Sequence, residues 1–216
     1  MYRQKSWLSL LLVIILYLAW HTPWVLPLKI LVVFFHEFSH ALLTWLTGGS
    51  VKSFVVSSDQ SGHVISAGGH RFSILTAGYL GSILIGAGIY RFAHQPLLLP
   101  LMGAIMLLVG GFFFGSTFTL IFSALSAAVL ILCYLKLSSQ WQAVILQTIG
   151  LASLLYVPYD VFQDTVMYSH HRSDAAMLAD EFFGTTWMWG GIWTALCCVI
   201  FYLTVIKPLF KREARK

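Results

Sequence analysis

An all-α, multi-pass membrane bundle of about six to seven transmembrane segments, with a small β-hairpin after the second, is the fold predicted for this chain of 216 residues. Three observations predict it. The chain is 58% hydrophobic and only 10% charged, with a mean hydropathy of +0.81, far outside the soluble globular range. Apolar runs of roughly membrane-spanning length follow one another with few interruptions. Between residues 50 and 69 the composition switches to Val, Ser, Gly and Asp, which suits strands and turns. These features describe one membrane domain over residues 1–216. The net charge of +5 comes largely from the tail Lys207, Lys211, Arg212, Arg215 and Lys216, which follows an apolar run. Such a cluster flanks a bilayer, and no nucleic-acid partner is expected.

The run Trp7 to Trp20 resembles a signal sequence behind Arg3 and Lys5, but His21, Thr22, Pro23 and Trp24 offer no small-residue cleavage site. It is therefore expected to form a tight helical hairpin with Leu26 to Leu46, which ends at Gly48 and Gly49, suited to a helix C-cap. VKSFVV and HVISA flank the turn-forming Ser58 to Gly62 and predict a β-hairpin. Bare strand edges cannot face lipid, so this hairpin either accepts an extended substrate as an added strand or serves as a buried connector. Phe72 to Phe92 carries Ala77, Gly78, Gly81, Ser82, Gly86 and Gly88, whose spacing lets helices approach closely and predicts a central span. Leu97 to Phe114 and Thr117 to Leu135 read as scaffold. Trp141 to Tyr159 is a further span, ending in YVPYDVFQD, where Asp160 and Asp164 share a face beyond Pro158. Ser173 caps a short surface helix, His170 and His171 read as solvated, and Thr186 to Ile206 closes the chain with Trp187, Trp189 and Trp193 as an interface belt. Cys133, Cys197 and Cys198 show no metal or disulfide spacing and are expected in the core.

The chemistry concentrates in FFHEFSHAL, residues 34–42. On a helix His36 and His40, four apart, project from one face and can share a metal ion, with Glu37 placed to hold a water beside it. Ionisable groups at membrane depth cost several kcal/mol unless paired or metal-bound, so three of them at ligand spacing point to a site. Two imidazoles on Zn2+ require a further protein ligand and leave a position for water, with Glu37 as general base and peptide hydrolysis as the reaction.

HEFSHALLTWLTGG, SDQSGHV, AGYLGS, YDVFQDT and SDA, in that order between residues 31 and 175, resemble the site-2 protease family of intramembrane zinc metalloproteases, in its short branch without a PDZ domain. The resemblance implies a zinc cofactor held by His36 and His40, with Glu37 as the base. It also implies cleavage of membrane-embedded segments of proteins or leftover signal peptides, in or near the lipid bilayer. The family's late aspartate lies in an LDG motif, which this chain lacks; YDVFQD is the nearest counterpart. Depth along the helix assigns the third ligand to Asp160, with Asp164 one turn nearer water as a supporting group or alternative ligand. No substrate-binding residue is assigned.

Two rival classes share the same sequence: a catalytically silent relative that binds membrane helices, and a small proton-coupled transporter using the carboxylates as a relay. Positive charge places the N-terminus in the cytoplasm, in the plasma membrane, with Lys52, Arg71 and Arg172 on the inner side. Seven crossings would then leave the basic tail outside, against the same rule.

Overall fold

The structure, a computed structural model, describes residues 6–168 and 172–208. The N-terminal and C-terminal basic clusters, apart from Lys207, and the pair His170 and His171 lie outside the described residues. Eight α-helices and one two-stranded sheet are present among the described residues: α1 (Ser6–Ala19), α2 (Leu26–Leu46), β1 (Ser50–Val56), β2 (Gly62–Ala67), α3 (Arg71–Arg91), α4 (Leu98–Phe112), α5 (Thr117–Lys136), α6 (Ser139–Phe162), α7 (Asp174–Glu181) and α8 (Thr186–Phe201). Five helical segments are long and apolar enough to cross a bilayer, so the chain is an integral membrane protein.

α2, α3 and α6 form the centre. The windows through α2 and α6 are 61% buried, whereas α5, the most apolar span, is only 22% buried and gives its surface to lipid. Small residues set the central packing. A methyl group on Gly86 would meet Ser153 of α6, and one on Gly81 would meet Ser39 of α2, so α3 lies against both neighbours at near-backbone contact.

α2 ends as its glycines require. Gly48 adopts φ +83°, Gly48 N–H donates to the Trp45 carbonyl, and Gly49 N–H donates to the Thr44 carbonyl at 2.8 Å, which satisfies two end carbonyls and turns the chain into β1. α1 departs from the expected hairpin. Ahead of the 3-10 turn Pro23–Val25 it packs mainly on α6 and α3, with Trp20 against Tyr156 and Tyr90 donating to Ser9 at 2.8 Å. Nor do the late tryptophans form a belt. Trp187 is exposed, but Trp189 and Trp193 turn inward, Trp193 being 1% accessible and packed on Tyr79. All three cysteines are free; Cys197 is buried, and Cys198 faces outward.

The hairpin before α3 and the helix α7 after α6 line the same cavity, so both are expected on one side of the membrane, with an even number of crossings between them. Since α3, α5 and α6 each have 20 residues or more, α4 is then expected to cross as well. Its 15 residues reach only about 22 Å against roughly 30 Å of hydrocarbon, a mismatch that local thinning or flanking residues would have to meet. Single cysteines at Asp59 and Asp180, in a background lacking the native three, should therefore react together with a membrane-impermeant thiol reagent from one side. Labelling from opposite sides would refute this crossing pattern.

Candidate metal centre

His36 and His40 stand one turn apart on the buried face of α2, with ring centroids 4.8 Å apart. Their orientation is imposed by α3. His40 Nδ1 donates to the Ile74 carbonyl at 2.7 Å, which directs Nε2 into the cavity, the orientation a metal-binding histidine uses. Tyr79 lies edge-on to His36, with centroids 4.7 Å apart. Gly78 sits directly opposite the two rings: a methyl group there would lie 2.6 Å from His40 Nε2 and would also strike His36 Nε2. Gly78→Ala should therefore displace both imidazoles and weaken any divalent-metal binding at this site by about tenfold or more, measured by chelator competition. Gly88→Ala on the same helix, where a methyl group meets nothing within 4 Å, should leave affinity unchanged.

The carboxylate that reaches both histidines belongs to Asp174. Its Oδ2 lies 3.1 Å from His36 Nε2 and 3.1 Å from His40 Nε2. Ser173 begins α7 by accepting from Ala176 N–H, and that cap aims the next side chain, at the first helical position, down between the histidines. Burial alone would raise the Asp174 carboxyl, but His40 and His36 against it hold it well below the usual carboxylate range. Among the described residues, His36, His40 and Asp174 are the group whose ligand atoms converge, all within 4.8 Å of one another. The two histidine–aspartate spacings of 3.1 Å are close to those of neighbouring ligand atoms around one ion with bonds of about 2.0–2.2 Å, and two imidazoles with a carboxylate are a donor set that suits Zn2+.

Asp160, the expected third ligand, lies outside this group. Asp160 and Asp164 both line the cavity, of about 590 Å³, but neither joins the convergent group. Asp164 instead accepts a hydrogen bond from Tyr79, the residue beside His36. The chain beyond α6 continues as a wider π-helical turn over Gln163–Met167, and a third aspartate, at the start of α7, lies against the histidines. SDA, with a capping serine just before the acid, was the available signal; a short polar helix gave no reason to expect a side chain at the depth of α2.

Glu37 is buried on the neighbouring side of α2, under the hairpin. A methyl group on Gly62 would come within 2.6 Å of Glu37 Oε1, so the start of β2 rests directly on the carboxylate. β1 is anchored: Phe54 N–H donates to the Phe113 carbonyl at 2.6 Å, Phe54 accepts from Gly115 at 2.9 Å, and Val56 exchanges hydrogen bonds with the Thr119 hydroxyl. Because Phe54 and Val56 turn their peptide groups away from β2, their partners Val64 and Gly62 turn theirs to the outer edge. That edge lines the cavity, and among the described residues no other strand pairs with it.

No curated protein and no solved structure matches the chain. The Peptidase M50B-like family profile matches residues 9–204. Only Gly68, Gly69 and His70 separate β2 from α3, a connection with no room for an inserted module. With a profile match over nearly all of its length, and a helical bundle carrying one small hairpin, the chain belongs to the Peptidase M50B-like family, as a site-2 protease relative without a PDZ domain.

Proposed function

We propose that the protein is a zinc-dependent intramembrane endopeptidase that hydrolyses peptide bonds in or near the membrane-spanning segments of other proteins, signal peptides included. The observation that carries this reading is the convergence of His36, His40 and Asp174 in a cavity that also holds Glu37. When bound, the ion supplies a Lewis acid that polarises the scissile carbonyl and eases deprotonation of water. His36, His40 and Asp174 hold it, and the Ile74 carbonyl keeps the His40 ring in the ligating orientation. Glu37 takes the proton from the attacking water and delivers it to the leaving nitrogen.

Helical substrates hide their carbonyls in internal hydrogen bonds, so the scissile stretch has to unwind before it can react. The outward peptide groups of Gly62 and Val64 offer such a stretch a strand to pair with, and Gly62 rests on Glu37, so pairing there brings the substrate backbone to the base. With a cytoplasmic N-terminus and α1 crossing ahead of α2, this mouth lies on the cytoplasmic side.

Metal analysis of the purified protein, combined with cleavage of a panel of single-pass substrates before and after chelation, tests the reading. Stoichiometric zinc with cleavage lost on chelation and restored by Zn2+ is the expected result. Substrate transport without cleavage would favour the proton-coupled carrier. Zinc binding without cleavage of any substrate would favour a silent helix binder.

A further inference from the structure

Asp174 is carried by a helix of eight residues, too short to hold itself in place. Its position must come from what grips it. At one end the Ser173 cap starts the helix. At the other, Arg71, the first residue of α3, forms a two-pronged ion pair with Glu181: Nε to Oε2 at 2.9 Å and Nη2 to Oε1 at 2.9 Å. Nη2 also lies 3.3 Å from Met177 Sδ. Asp174, Met177 and Glu181 are spaced i, i+3 and i+7, which puts them on one face of α7. The face that presents the carboxylate to the histidines is therefore the face that Arg71 holds. α3 is itself fixed at this point, because His70 N–H donates to the Thr47 hydroxyl at the end of α2 at 2.9 Å. The connection runs from the end of the histidine helix, through Arg71, to the helix bearing the aspartate.

We propose that Arg71 and Glu181 form a latch that positions Asp174, so that Arg71 is a positioning residue for the metal centre. Exposed single ion pairs contribute little to stability, but a two-pronged Arg–carboxylate pair fixes direction as well as distance. Its effect is expected on metal affinity more than on folding. The inference rests on the metalloprotease reading of the same site.

The test is zinc affinity of the full-length protein in detergent, by competition with a chromophoric chelator, with the melting temperature of the zinc-free protein as a control for folding. Arg71→Gln and Glu181→Gln should each weaken zinc binding by about tenfold, the loss typical when the support of a ligand is removed. The exchange Arg71→Glu with Glu181→Arg should recover most of it, and the Co2+ spectrum of the exchanged protein should match the parent. Two independent single variants and the exchange keep the test informative if one of them folds poorly. Parental zinc affinity in both single variants, or losses that the exchange does not recover, would overturn the latch. A parent protein that binds no stoichiometric zinc would instead remove the metalloprotease reading itself.

Discussion

Asp174→Ala is expected to lose zinc and proteolysis together, with affinity falling at least a hundredfold, beyond the range seen when only a ligand's supporting partner is removed. The reasoning is geometric. Asp174 Oδ2 is 3.1 Å from the Nε2 atom of each histidine, and without it the ion would keep two protein ligands where catalytic zinc sites use three. Asp160→Ala is the decisive comparison, because that residue faces the same cavity but stands outside the convergent group. It should retain metal. Zinc lost from Asp160→Ala and kept in Asp174→Ala would return the ligand role to the end of α6.

Glu37→Gln should reduce turnover by about 10²–10⁴-fold while zinc content and melting temperature stay near those of the parent, since the amide keeps the shape but cannot carry the proton. Glu37 is 5% accessible and lies beneath Gly62, so the near-isosteric change avoids the cavity that alanine would leave. Single-turnover cleavage of a membrane-embedded substrate, alongside metal analysis, measures both properties. Undiminished turnover would exclude Glu37 as the base. His36→Ala or His40→Ala should behave differently, losing the metal first.

Much of the fold was legible from local chemistry. The Gly48 and Gly49 cap, the strand pair around Ser58 to Gly62 and the small residues of α3 each follow from constraints that act within a few residues: positive φ, alternation and close helix approach. The tryptophans misled for the opposite reason. An indole is suited both to an interface and to a buried ring cluster, and only the neighbours Tyr79 and Phe72 decide that Trp193 and Trp189 turn inward.

The sequence by itself determined a membrane bundle and a pair of histidines with a glutamate between them, because helical periodicity alone brings residues 36 and 40 to one face. Tertiary structure decided which carboxylate meets them. Asp160, Asp164 and Asp174 are all acids in the second half of the chain, and no periodicity links any of them to α2. The choice is made by the turn after α6, the Ser173 cap and the grip of Arg71 on Glu181, which together bring a residue 138 positions from His36 to within 3.1 Å of it. Such a contact depends on how separate elements pack, and local sequence chemistry carries no record of it.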